Sequence, residues 1–173
     1  MKYPIIYGGI AGAIAISIIS ATLALDLPSH STSIFVGYLI MLAALSLIFV
    51  GVKRYRDVEC GGVIRFGRAF ALGVGMALVA GIVYALGWEI FIAVSGFDFM
   101  GGYTADMIAT MRAEGATQTA IDARLAEIAD MIAMYENPML RMLMIFAEIA
   151  PVGLIVALVS AAVLRNPKSL PAR

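Results

Sequence analysis

From Ile5 to Leu25 the chain carries no charged residue, and from Ser33 to Val52 it again carries none. Each run reaches the roughly 20 apolar residues that a helix needs to cross a hydrocarbon core. Two more follow: Ala69 to about Gly96, interrupted only by Glu89, and Met139 to Leu164, with Arg141 near its start and Glu148 further in. Four such runs in 173 residues leave little room for anything except a membrane bundle. Composition agrees, at 62% hydrophobic and 14% charged residues, against roughly 45–50% and 25% in soluble domains. The first run exceeds the roughly 7–15 residue core of a signal peptide, and Thr22-Leu23-Ala24 is a poor cleavage site, so it reads as a retained helix. The expected fold is all-α: a four-helix transmembrane bundle forming one domain over 1–173, with spans near 5–25, 33–52, 69–96 and 139–164.

Charge sets the expected orientation. Lys2, Lys53, Arg54, Arg56, Arg65, Arg68, Arg165, Lys168 and Arg173 flank one side, nine of the twelve basic residues. The turn from Asp26 to Thr32 has no basic residue, and the connection from Phe97 to Pro138 has only Arg112 and Arg124 among Asp98, Asp106, Glu114, Asp122, Glu127, Asp130 and Glu136. Basic residues stay on the cytoplasmic side. Both termini and the 53–68 loop are therefore expected in the cytoplasm of a bacterial inner-membrane protein, with the acidic connection outside.

That connection, 97–138, reads as an extracytoplasmic helical hairpin. Gly101-Gly102 precede a helical stretch from Tyr103 to Glu114, and Gly115 is a natural stop. Thr117 or Thr119 can cap a second helix, which Asn137-Pro138 ends. Ile121, Leu125, Ile128, Ile132 and Tyr135 are spaced four, three, four and three apart and share one face. This stripe either packs within the molecule or forms an interaction face for a partner or a second copy.

Small residues repeat at helical spacing: Gly9, Ala13, Ser17 and Ala21, with Gly8 and Gly12 beside them, and Ala69, Gly73, Ala77, Gly81 and Ala85. Such ladders let helix backbones approach where lipid supplies no hydrophobic drive, within the bundle or at a homodimer seam.

An acid inside an apolar span needs a partner or a purpose. With Arg68 and Arg165 at the inner surface, a rise of about 1.5 Å per residue places Glu148 roughly 25 Å, Glu89 roughly 31 Å and Arg141 roughly 36 Å outward. Two arrangements compete. Either Arg141 reaches Glu89 while Glu148 keeps its proton or accepts hydrogen bonds from Tyr84 or Trp88, or Glu89 and Glu148 face one cavity as a carboxylate pair able to hold a proton or cation. Pro151 removes the hydrogen bond to the Ala147 carbonyl and should kink the helix beside Glu148.

On the inner side, Lys53, Arg54, Arg56, Arg65 and Arg68 are expected to contact anionic lipid, each adding about 1 kcal/mol near the surface. Two acids among these bases argue against nucleic acid as a partner. Cys60 is expected to be an inert thiol in a reducing compartment, with a reactive thiol as the alternative, and His30 a solvated turn residue. No nucleotide loop, zinc motif, serine–histidine pair or dinucleotide fingerprint occurs, so neither a cofactor nor a metal is expected.

Several stretches taken together resemble a known family. They are Gly61-Gly62-Val63-Ile64-Arg65-Phe66-Gly67-Arg68-Ala69-Phe70, Trp88-Glu89, Asp98-Phe99 with Tyr103, Tyr135-Glu136-Asn137-Pro138, Phe146-Ala147-Glu148-Ile149-Ala150-Pro151-Val152-Gly153-Leu154, and Val159-Ser160-Ala161-Ala162-Val163-Leu164-Arg165. The pattern is similar to the bacterial family called domain of unknown function 4199, small four-pass membrane proteins without an established activity. The resemblance implies the topology and location given above and carries no catalytic residues. The leading functional expectation is a non-enzymatic membrane protein acting through packing, self-association or a membrane partner. The alternatives are a proton- or cation-coupled transporter component using Glu89 and Glu148, and a membrane-embedded enzyme.

Overall fold

The computed structural model describes residues 2–25 and 34–171. The turn from Asp26 to Thr32, with His30, and the basic Arg173 lie outside the described residues. Four helices are long and apolar enough to cross a membrane: α1 (Pro4–Ala24), α2 (Phe35–Glu59), α3 (Phe66–Ser95) and α6 (Pro138–Leu164). Between the last two lie α4 (Phe99–Ala113) and α5 (Gln118–Glu136).

The bundle is built around α3, which packs against α6 on one side and α1 on the other, while α2 closes the ring between α1 and α6. The small-residue ladder of α3 explains this centre, because Ala69, Gly73, Ala77, Gly81 and Ala85 are all buried. A Cβ on Gly73 would lie 2.9 Å from the Ala157 Cβ, and one on Gly153 2.8 Å from the Ala77 Cβ. The α3–α6 contact therefore depends on having no side chain at those two positions. Large apolar residues lie on both sides: Met41, Leu45, Ile48 and Met76 fill the core, while Leu39, Ile90, Leu143 and Ile155 are each more than half exposed. Large apolar side chains on the outer surface suit lipid and would be penalised by water.

The ladder of α1 departs from expectation. Ala13, Ser17 and Ala21 point away from the bundle, and a Cβ on Gly9 would meet nothing within 4 Å. The neighbouring set makes the contact, with a Cβ on Gly8 or Gly12 falling 2.4 Å from the carbonyl oxygen of Met76 or Ala80 on α3. Both sets have the same spacing, so periodicity alone does not choose between them.

Local chemistry fixes the ends of the elements. Gly96 adopts φ 63° and its N–H returns to the Ile92 carbonyl at 2.9 Å, stopping α3. The Asp98 carboxylate accepts the Gly101 N–H at 2.8 Å and caps α4, so Gly101-Gly102 fall inside the helix rather than before it. Gly115, at φ 79°, turns the chain, and the Thr117 hydroxyl caps α5. Asn137 caps α6 through the Met139 N–H at 3.0 Å, with Pro138 as its first residue.

The second span also differs from expectation. It continues past Val52 to Glu59, so Lys53, Arg54 and Arg56 sit on helix rather than on a loop, and only the short turn before Phe66 is irregular. Both ends of the described chain lie against this turn of α2. The Tyr3 hydroxyl donates to Glu59 at 3.0 Å, and Arg56 donates to the carbonyl of Ser169 at 2.9 Å and to that of Leu170.

Candidate functional site

The polar residues of the spans gather where α3 and α6 meet the α4–α5 connection. Glu89 lies in the last two turns of α3 and Arg141 in the first turn of α6. A cation at a helix N-terminus opposes the helix dipole and needs an anion beside it. Glu89 supplies one: Arg141 Nε donates to Oε1 at 2.7 Å and Nη2 to Oε2 at 2.6 Å, a bidentate pair. The two side chains are 13% and 20% exposed, well removed from solvent. Arg141 Nη1 also donates to the Tyr135 carbonyl at 3.2 Å, which ties the end of α5 into the same knot.

Tyr135 is the hub. Its hydroxyl accepts the Trp88 indole N–H at 2.8 Å, its ring lies 5.4 Å from the Arg141 guanidinium, and Phe99 stacks on it at 5.7 Å. Trp88 meets Phe99 edge-on at 5.5 Å. Burial pushes the Tyr135 phenol up to about 12, with the Trp88 hydrogen bond and the Arg141 charge acting the other way. The result is an aromatic seal holding both connection helices to the bundle.

Of the two arrangements open in the sequence, the Glu89–Arg141 pair is present and the Glu89–Glu148 pair is not. Glu148 makes no hydrogen bond or ion pair among the described residues and remains accessible. Neither Tyr84 nor Trp88 donates to it, since the Trp88 N–H is committed to Tyr135. It nonetheless lies in electrostatic range of Tyr84 and Tyr135. Tyr84 is 2% exposed, and its hydroxyl has no partner among the described residues. Pro151 stands inside α6 one turn beyond Glu148.

The stripe on α5 is turned inward. Ile121, Ile128 and Tyr135 are buried, Leu125 and Ile132 are partly so, and Ile132 and Tyr135 pack with the main core. Within the molecule the stripe is accordingly an internal seam. The acids Asp122, Glu127 and Asp130 form the exposed side of the helix.

The basic cluster separates into two groups. Arg54, Arg65 and Arg68 are exposed, with Arg68 donating to the Tyr55 hydroxyl and lying 5.3 Å from its ring. Lys53 pairs with Asp57 at 2.6 Å. Arg56, expected as a lipid contact, is 0% exposed and is bound by Asp57 and the carbonyls of the C-terminal segment, so it meets no lipid. Cys60 is a partly exposed free thiol.

A cavity of about 640 Å³ lies between α4, α5 and the ends of α3 and α6, walled by Ile92, Phe97, Phe99 and Ile132 with Asp98, Thr104, Glu136 and Arg141 among its lining residues. The Asp98-x-x-Gly cap was the one local signal that could have located its rim.

No curated protein and no solved structure matches the chain. The model of a family described as "Protein of unknown function (DUF4199)" matches residues 6–166, and with nearly its whole length covered the chain belongs to that family.

Proposed function

We propose that this chain is a non-enzymatic integral membrane protein of the inner membrane, with both termini in the cytoplasm. It acts by presenting a fixed, acidic outward cap to a membrane partner or a second copy. The bidentate Glu89–Arg141 pair carries this reading. An acid held by two charge-assisted hydrogen bonds on an arginine is a poor shuttle for protons or cations, and here it anchors the connection instead. Asp122, Glu127 and Asp130 give the cap its exposed charge, and Arg54, Arg65 and Arg68 stand ready for anionic headgroups at the opposite end.

A second reading, proton or cation transport, is favoured by Glu148, which has no ion pair among the described residues, in electrostatic range of the partnerless Tyr84 hydroxyl, with Pro151 inside the same helix. Proteoliposomes separate the two. The cap reading expects no pH-dependent ion flux from the parent protein, and crosslinked oligomers or partners that are lost when Asp122 and Asp130 are both changed to Lys. Saturable flux that disappears in Glu148→Gln would replace it with the transport reading.

A further inference from the structure

The cavity under the connection has a charge balance that names its ligand. Its volume of about 640 Å³ suits a small organic molecule. Among the described residues the only cation lining it is Arg141, whose charge is already matched by Glu89. Its two lining carboxylates, both on exposed residues at its mouth, pair with no cation among the described residues. Glu136 has neither ion pair nor hydrogen bond among the described residues, and Asp98 uses Oδ1 on the Gly101 N–H while Oδ2 has no partner. Thr104 donates its proton to the Met100 carbonyl at 2.7 Å, which leaves its oxygen as a further acceptor. The remaining wall is aromatic and aliphatic. Unmatched negative charge and spare acceptors on an apolar cup call for a cation with several N–H donors attached to an apolar body.

We propose that this cavity binds a primary ammonium group carried on an apolar body, either a free amine or the headgroup of an aminophospholipid. The site goes beyond the cap reading and does not depend on it, since a ligand can bind whether or not a partner does. Trp88, the single tryptophan of the chain, bonds to Tyr135 on the cavity wall and reports on occupancy by fluorescence.

The test uses the full chain in phosphatidylglycerol nanodiscs, which contain no amine, at neutral pH and fixed ionic strength. Hexylamine should change Trp88 emission saturably, while hexanol and hexanoate should not. Glu136→Gln and Asp98→Asn, the latter keeping the helix cap, should each raise the half-saturating amine concentration about tenfold, the loss of one charge-assisted contact. Glu114→Gln, an exposed acid on the same connection that does not line the cavity, should leave it unchanged. An equal response to hexanol, parental titrations from both cavity variants, or an equal loss in Glu114→Gln would each overturn the proposal. Discs containing phosphatidylethanolamine then identify the source. Competition that shifts the hexylamine titration upward assigns the site to a lipid headgroup, and an unshifted titration assigns it to a free amine.

Discussion

Two arginines are withdrawn from solvent at opposite ends of the bundle, and they are satisfied by different chemistry. At the connection end, Arg141 meets a carboxylate, Glu89, through two short parallel bonds. At the terminal end, Arg56 bonds to Asp57 at 2.7 Å and directs the rest of its fork at main-chain carbonyls of Ser169 and Leu170, close to the last carbonyl of α6. A carboxylate that loses its partner can be neutralised by taking up a proton, whereas a part-buried carbonyl that loses its donor has no such exit. The arginine with the less conspicuous partners is therefore the more costly one to remove.

Arg56→Met should cost about 3 kcal/mol, because it removes a fully buried side chain that ties Asp57 to two part-buried carbonyls of the C-terminal segment. Thermal unfolding in detergent measures the loss, and faster tryptic cleavage at Lys168 reports release of the terminal segment. Arg141→Met should cost about 2 kcal/mol, and in a Glu89→Gln background its further cost should fall below about 0.5 kcal/mol. Additive losses would dissolve the pair, and a larger loss at Arg141 than at Arg56 would reverse the comparison.

The smallest effect concerns the aromatic hub beside Arg141. An unfolded tyrosine loses its proton near pH 10, while Tyr135 in the folded chain holds its own until about 12. The folded state binds more protons across that window. Its stability is thus intact below pH 10 and declines as the pH rises, by about 1 kcal/mol at pH 11 from this group. Melting temperatures measured from pH 9 to 12 should fall less steeply in Tyr135→Phe than in the parent; identical slopes would remove Tyr135 from the account.

The two ends also differ in how much of them the sequence discloses. Glu89 and Arg141 are charges in apolar runs, and counting residues from basic anchors brings them within about one turn of each other, so their pairing is readable before any fold is known. Arg56 falls just beyond an apolar run among other basic residues, and its partners are backbone carbonyls, which every residue has. Nothing in its neighbourhood distinguishes it from Arg54, which is exposed. The four spans were legible for the same reason that Glu89 was, since twenty uncharged residues have few alternatives. Which of two equally spaced small-residue sets on α1 faces α3 was not legible, because that choice depends on how the helices rotate against each other. The cavity was hidden too. Asp98 caps a helix that begins at Phe99, four residues before the glycine pair suggested, and that shift brings its carboxylate to the cavity rim.

The Arg56 contact has a consequence for synthesis. Its carbonyl partners lie 113 and 114 positions further along the chain. At a translation rate of about 5–20 residues per second, α2 waits roughly 6–23 seconds for them to be synthesised. Through that interval a guanidinium destined for the interior has Asp57 as its ion-pair partner and lacks the carbonyls that complete its site. The order of assembly is thereby recorded in one side chain, and a product cut off before Ser169 would expose its incompleteness to any protease surveying that surface.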